Sequence, residues 1–158
     1  MGRLRPADVL AGAAGVALLV VEFLPWYGVR GVPAVAGATP YAPLAGPSAW
    51  QAFSVIDVLL ALAALVAIAL VAVTATSSGP AKPVAFTVIS TVTSTIAFLL
   101  VLFRLLDPPK GFYTRHYGVW LGLAVTLLML VASFAAMKDD RTPGAVPPDV
   151  PRRPAPPA

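Results

Sequence analysis

Four charged residues stand inside or beside otherwise apolar runs of this sequence, and their types and spacing make them the best candidates for chemistry. Glu22 interrupts the stretch VEFLPWYG, and Asp57 lies in SVIDVLL. Arg104 precedes Asp107 by three positions in FRLLDPP, and this spacing predicts that the two meet on one face of a helix. Burying a charge in lipid is costly, so such residues normally face the interior of a protein and pair with one another. We therefore predict a charge cluster in which Arg104, whose guanidinium can engage two carboxylates, is the hub for Glu22 and Asp57.

The sequence leaves two interpretations of this cluster open. Arg104 and Glu22 lie near helix ends, so they can extend to the headgroup region, and their pairing would then only fix how the helices pack. Alternatively, the cluster is a proton- or ligand-binding site, for which Asp57 is the most informative residue because it lies deepest. His116, the only histidine, is expected to be an interfacial residue at the start of the last apolar run.

Motifs of soluble-type enzymes are missing from the sequence. It contains no Gly-rich phosphate loop, no HExxH, no nucleophile elbow and no paired histidine and carboxylate spacing suited to a metal. The absence of cysteine excludes disulfides, thiolate metal sites and cysteine nucleophiles. We therefore predict a protein that is not an enzyme and that binds neither a metal nor a cofactor.

The elements that must position the charges are apolar runs of membrane-spanning length. Hydrophobic residues make up 58% of the 158 residues, charged residues only 11%, and the mean hydropathy is +0.84. A helix needs about 20 apolar residues to cross roughly 30 Å of hydrocarbon. Residues 1–137 are therefore predicted to form an all-α transmembrane four-helix bundle, with helices at about 7–24, 52–73, 84–106 and 117–137.

Two segments fall outside these runs. Residues 26–50 are rich in Gly, Ala and Pro and nearly uncharged, which predicts an irregular extracellular loop rather than a domain. Residues 138–158 hold seven prolines and no aromatic residue, which predicts a disordered cytoplasmic tail. The PDVP, PRRP and PAPP stretches of this tail fit either a plain spacer or a ligand for a proline-binding domain.

Basic residues predict the orientation, because Lys and Arg are enriched on the cytoplasmic side of membrane proteins. With the N-terminus inside, seven Lys and Arg residues lie in the cytoplasm and four lie outside. This count favours a multi-pass protein of the cell membrane with both termini cytoplasmic, and it attributes the net charge of +4 to membrane anchoring rather than nucleic-acid binding. An alternative is that residues 1–36 are a secretory signal, because Arg3 and Arg5 precede an apolar stretch and AVA at 34–36 resembles a cleavage site.

Tryptophan and tyrosine prefer the membrane interface, and all seven of them lie on or beside the two loops assigned outside. Anchoring at one interface explains this bias, and the alternative is a shared aromatic cap over the extracellular ends of the helices. The residues assigned to this cap are Trp26, Tyr27, Trp50, Tyr113, Tyr117 and Trp120.

Small residues at four-residue spacing mark the faces on which helices approach one another closely. Ala11 and Gly15 form such a pair in the first run, and Gly118 and Gly122 form one in the last. The third run contains TVISTVTSTI, whose hydroxyls are expected either to bond across helices or to return to their own backbone carbonyls.

A family resemblance is carried by the stretches FLPWYG, SAWQAFSVIDVLL, FRLLDPP and YGVWLGL. They resemble the helix ends of small four-span integral membrane proteins of high-GC Gram-positive bacteria. The resemblance covers residues 1–140 and implies a four-helix layout, but it implies no activity. The layout with its longer first loop is also loosely similar to claudin-type proteins, which carry a loop disulfide that this cysteine-free chain lacks.

The function predicted from these observations is non-enzymatic. We expect an accessory or scaffold protein of the bacterial cell envelope that binds membrane lipids or a partner membrane protein, or forms a homo-oligomer, and binds no nucleic acid. The alternative is a small transporter or ion-conducting subunit that uses Glu22, Asp57 and Arg104.

Overall fold

The computed structural model describes residues 4–29, 46–53, 55–77, 81–110 and 112–138 of the chain. Most of these residues are helical, as the composition predicts. The predicted disordered tail, apart from Lys138, and residues 30–45 of the first loop lie outside the described residues. The elements are α1 (Pro6–Val21), β1 (Tyr27–Val29), α2 (Ala49–Ala52), α3 (Ile56–Thr76), α4 (Ala81–Leu106), β2 (Phe112–Arg115) and α5 (Tyr117–Lys138).

Three of the helices are long and apolar enough to cross a membrane. They comprise α3, with 21 residues, the 25-residue segment Lys82–Leu106 of α4, and α5, with 22 residues. The first helix is also apolar, but at 16 residues it rises only roughly 24 Å. The structure therefore confirms a mostly helical chain with three membrane-capable helices, and α1 is shorter than the predicted 7–24 because the chain leaves the helix after Val21.

The other boundaries shift for local reasons. The chain is extended at Phe53, with φ −117° and ψ 161°, so α3 begins at Ile56 rather than at the predicted residue 52. At the start of α4 the helix includes Pro83, which the first turn tolerates because its amides have no partner within the helix. This helix therefore begins three residues earlier than predicted.

The four long helices pack side by side in a closed ring. Helix α1 contacts α3 and α5, and α4 contacts the same two helices. The approach of α1 to α3 depends on glycine, since a Cβ built on Gly15 would lie 2.7 Å from the carbonyl oxygen of Ala64. Of the residues predicted for helix packing, Ala11, Gly15, Gly118 and Gly122 are all buried.

One end of the ring is covered by a small antiparallel sheet, and we call it the capped end. Strand β1 pairs with β2 through Tyr27 opposite Arg115 and Gly28 opposite Thr114. The prediction of an irregular first loop is therefore wrong at both described ends of that loop, which carry β1 and α2. Short strands of this kind have too few residues for a recognisable alternation, and their partners lie far away in sequence.

The opposite end of the ring, which we call the terminal end, carries the beginning of α1 and the end of α5. The guanidinium of Arg5 donates a hydrogen bond from Nη1 to the carbonyl oxygen of Ala136 at 2.8 Å. The Nη2 group of the same side chain donates to the hydroxyl of Thr87 in α4 at 3.3 Å. Successive long helices therefore run in alternating directions between the terminal end and the capped end.

Candidate functional site at the capped end

The stretch VEFLPWYG turns out of α1 and sends the side chain of Trp26 back into the core. The indole lies fully buried against α5, where a Cβ built on Gly122 would be 2.7 Å from its Cη2 atom. Its Nε1 donates a hydrogen bond to the main-chain oxygen of Val21 at 2.8 Å. Because carbonyls in the last turn of a helix have no partner within it, this bond satisfies an otherwise unpaired acceptor. Trp26 therefore fixes the turn on which Glu22 is carried.

Main-chain hydrogen bonds tie this turn to the neighbouring segments. The amide of Ala49 donates to the carbonyl oxygen of Glu22 at 3.0 Å, and the amide of Gly118 donates to that of Pro25 at 3.1 Å. The amide of His116 donates to the carbonyl oxygen of Trp26 at 2.9 Å. The turn is thus held from both α2 and the start of α5, so the position of the Glu22 side chain is determined by contacts distant in sequence.

The side chain of Glu22 is the least satisfied polar group of the site. It is fully buried, with 0% of its surface exposed. Neither Oε1 nor Oε2 has a hydrogen-bond partner within the described part of the chain. A buried carboxylate normally accepts several hydrogen bonds or pairs with a cation. Glu22 therefore lacks, within the described structure, the positive group or proton that would stabilise a buried carboxyl group.

Asp57 lies close enough to Glu22 for its charge to act on that carboxyl group. It is in the first turn of α3, is only 4% exposed, and accepts a hydrogen bond at Oδ1 from the amide of Val58 at 2.9 Å. The N-terminus of a helix favours a negative charge because its amides point outward along the dipole. The structure thus brings two predicted site residues together, but it supplies only Asp57 with groups that stabilise an anion.

The predicted role of Arg104 as hub is not what the structure shows. No salt bridge joins Arg104 to Glu22 or Asp57, all three of which are described, and its buried Nε has no hydrogen-bond partner among the described residues. The guanidinium carbon instead lies 5.3 Å from the ring centre of Phe53 and 5.6 Å from that of Phe103. This position keeps the cation over two aromatic faces, which attract it electrostatically.

Asp107 stays outside the cluster. It lies one residue past the end of α4, is exposed, and forms no salt bridge with Arg104 in the described structure. The i,i+3 spacing would place both residues on one face of the helix if α4 continued through Asp107. The helix instead ends at Leu106, because the residue before a proline disfavours the helical conformation. The predicted contact therefore fails because the helix ends between the two residues.

Three aromatic side chains form the packed centre of the capped end. The ring of Phe53 makes edge-to-face contacts with Trp26, at 5.6 Å between centroids, and with Tyr27, at 5.8 Å. The hydroxyl of Tyr27 donates to the carbonyl oxygen of Arg104 at 2.9 Å. Burial raises the pKa of Tyr27 to about 12, although the positive charges of Arg104 and Arg115 act in the opposite direction. Phe53 was not singled out from the sequence, where it is one of seven phenylalanines.

The predicted aromatic cap therefore divides into a buried part and an exposed part. Trp26 and Tyr27 belong to the core, whereas Trp50, Tyr117 and Trp120 are exposed. Trp50 lies 6.1 Å from the ring of Phe23, which is itself 71% exposed. Exposed aromatic rings at one end of apolar helices are typical of a membrane interface. The backbone of Tyr113 lies in β2, and its side chain is outside the described residues.

A second polar site, which we did not predict as such, closes the terminal end. Nε of Arg5 donates to Oδ2 of Asp8 at 2.9 Å and Nη2 donates to Oδ1 at 3.0 Å, so the pair is bidentate and buried. Together with Thr87 and the carbonyl of Ala136, this pair links α1 to α4 and α5. The i,i+3 spacing of Arg5 and Asp8 was the only feature of the sequence that could have predicted this ion pair. In the sequence, however, Arg5 looks like an ordinary basic residue that anchors the start of a helix at the membrane surface.

The hydroxyl groups of TVISTVTSTI in α4 form both kinds of contact that the sequence allows, within the helix and between helices. Thr91 and Thr95 donate to the carbonyls four residues earlier, at 2.9 and 2.8 Å. The hydroxyl of Ser90 instead lies 2.9 Å from that of Ser133 in α5, and that of Ser94 lies 3.5 Å from it. These serines are buried, so they place a short polar contact between the two helices.

Among the described residues, no three His, Cys, Asp or Glu side chains come together in a way that could hold a metal ion. No protein family, curated protein or solved structure matches this chain. The resemblance to small four-span membrane proteins of high-GC Gram-positive bacteria therefore stays a prediction.

Proposed function

We propose that this chain is a four-span integral membrane protein that serves as a non-enzymatic accessory or scaffold protein of the bacterial cell envelope. The observation that carries the proposal is that large apolar side chains are exposed on every long helix. Such a surface is suited to lipid or to another membrane protein rather than to water. Examples are Val16 and Val20 on α1, Leu62 and Leu65 on α3, Val92 and Leu99 on α4, and Leu127 and Val131 on α5.

Contacts at both ends of α1 support its inclusion as the fourth span. The guanidinium of Arg5 is bonded to Ala136 near the end of α5, and the carbonyl of Pro25 is bonded to Gly118 near its beginning. The segment between Arg5 and Pro25 therefore extends over nearly the whole length of α5, which is itself membrane-capable. With four spans both termini lie on one side, and the excess of basic residues at the terminal end favours the cytoplasm.

The structure narrows where a partner can bind. The small residues Gly15, Gly118 and Gly122 are already used in contacts within the chain, so they are not free for another molecule. An apolar groove of about 390 Å³ remains on the outward side of α1 and α3. Small residues in its floor permit close approach of a partner helix. The groove is lined by Val9, Gly12, Ala13, Val16, Ile68, Val71 and Ala72.

Affinity purification of the full-length protein in mild detergent, followed by mass spectrometry of all retained proteins and lipids, tests this proposal. Ala13→Trp fills the groove, and Ala124→Trp places the same side chain at an exposed position of α5 as a matched control. We expect a stoichiometric protein or lipid that the wild type and the control retain and that Ala13→Trp loses. If the wild type retains no such component, the scaffold proposal is wrong.

The alternative function is transport or ion conduction by a small subunit that acts as an oligomer. One observation favours it, which is that the carboxyl group of Glu22 is buried and has no hydrogen-bond partner among the described residues. Flux of protons or solutes into vesicles that contain the purified protein tests it. Flux that Asp57→Asn abolishes without loss of folding would replace the scaffold proposal with transport. A change in stability alone, with no flux in the wild type, would exclude the alternative.

A further inference from the structure

We propose that Glu22 and Asp57 form a proton-binding site in which, at neutral pH, the pair holds one proton on the carboxyl group of Glu22. Both carboxyl groups are buried, and the structure gives them different hydrogen-bond partners.

The environment of Glu22 favours a neutral acid. Its side chain is fully buried, and both carboxyl oxygens lack a donor within the described part of the chain. An ionised carboxylate is only an acceptor and loses the hydration of both oxygens on burial, whereas the protonated form carries no net charge to desolvate. The geometry therefore penalises the ionised form of Glu22 much more than the neutral form.

Asp57 has polar partners that Glu22 lacks. Its Oδ1 accepts the amide hydrogen of Val58, and it stands in the first turn of α3, where the helix dipole stabilises a negative charge. Because the negative charge of Asp57 acts on the carboxyl group of Glu22, the two acids do not readily ionise together. The negative charge is therefore assigned to Asp57 and the proton to Glu22.

Charged and titratable groups on the neighbouring elements are consistent with a single negative charge on the two acids. Arg104 of α4 lies over the ring of Phe53 and forms no salt bridge with either acid among the described residues. Arg115 of β2 directs its Nε to the carbonyl oxygen of Leu105 at 2.7 Å. Tyr27 of β1 and His116, which precedes α5, also lie at the capped end. One bound proton leaves a single negative charge on the two acids.

The sequence offers a direct measurement because Glu22 is its only glutamate. Full-length protein carrying glutamate labelled with ¹³C at the side-chain carboxyl gives a single glutamate resonance, whose chemical shift reports protonation as the pH is varied. A free glutamate ionises near pH ~4.3. We expect the Glu22 resonance to stay at the protonated position at neutral pH and to move only at higher pH.

Two variants distinguish the pair from other acids. Asp57→Asn removes the neighbouring charge and should shift the titration of Glu22 to lower pH, whereas Asp107→Asn, at an exposed position, should leave it unchanged. A wild-type resonance that titrates in the ordinary glutamate range would overturn the proposal. A titration midpoint that moves with sodium or potassium concentration at fixed ionic strength would also overturn it, because the site would then hold a metal cation.

Discussion

The indole nitrogen of Trp26 donates a hydrogen bond to the main-chain oxygen of Val21 at 2.8 Å. A side chain that follows the turn thus provides a partner for a carbonyl group at the end of α1. The same ring is seated against Gly122, where α5 has no side chain. This arrangement joins the end of α1 to α5 and carries Glu22 between them. The stability of the capped end should therefore depend on the space at Gly122.

Gly122→Ala should destabilise the protein. A Cβ at this position would lie 2.7 and 2.8 Å from Cη2 and Cζ2 of Trp26. Overpacking costs about 1–3 kcal/mol, and the better helix propensity of alanine offsets about 1 kcal/mol of it. We expect a lower Tm in detergent-solubilised protein, measured by intrinsic fluorescence. Ala124→Leu, at an exposed position of the same helix, is the control and should leave Tm unchanged; equal Tm values for wild type and Gly122→Ala would contradict the seating of Trp26.

Removal of one member of the buried Arg5–Asp8 pair should be costly. Asp8→Ala leaves the guanidinium of Arg5 buried without its carboxylate, a change that costs about 3–5 kcal/mol in buried ion pairs. The double variant Arg5→Met/Asp8→Leu should lose less stability than Asp8→Ala, because no unpaired charge remains. Unfolding by denaturant measures the three free energies.

Lys82→Ala provides the reference for the ion-pair experiment, because Lys82 is an exposed basic residue near the terminal end. Its removal should change the free energy of unfolding by less than about 0.5 kcal/mol. If Asp8→Ala is as mild as Lys82→Ala, the ion pair contributes little and the terminal end is held by other contacts.

Stability should fall at high pH because of Tyr27. Its pKa in the folded protein is raised by burial from 10.0 to about 12, so the folded chain keeps a proton that the unfolded chain begins to release near pH 10. The contribution of this group is complete below pH 10 and is lost as the pH rises towards about 12. Denaturant unfolding at several pH values should show this loss in the wild type and a smaller loss in Tyr27→Phe. Identical pH profiles for the two proteins would show that the phenol is not protected.

The proposed orientation can be tested with single cysteines, since the natural chain has none. Lys110 lies exposed in the turn at the capped end, and Lys82 lies exposed near the terminal end. A membrane-impermeant maleimide should label Lys110→Cys in intact cells, and it should label Lys82→Cys only after the membrane is permeabilised. Labelling of both cysteines in intact cells would show that α4 does not span the membrane, and labelling of Lys82→Cys alone would contradict the proposed orientation.

The helices and their order could be predicted because they depend on local properties. Long apolar stretches form helices in lipid whatever their neighbours are, and Pro25, the prolines after Asp107 and the charged residues after α5 end these stretches. The boundaries were less predictable. Because the chain is extended at Phe53, α3 begins later than predicted, and no residue type in that stretch predicts the extended conformation.

The charged residues of the candidate site could be named from the sequence, whereas their contacts could not. Glu22 and Asp57 do lie close together, because each is at the capped end of a helix in the packed pair α1 and α3. Arg104 reaches the same level, but the choice between a carboxylate and an aromatic face depends on the position of Phe53, which only the packing of α2 and β1 decides.

By itself the sequence determined the helical class, the apolar surface and the concentration of aromatic residues near one end, since these follow from composition and from periodicity within each segment. Only the tertiary structure decided that Trp26 and Tyr27 are core residues, that β1 pairs with β2, and that Arg5 binds Asp8 inside the terminal end. The physical reason is that burial, strand pairing and charge compensation depend on groups brought together from distant parts of the chain. A residue type states what a side chain requires, and the packed helices decide whether that requirement is met.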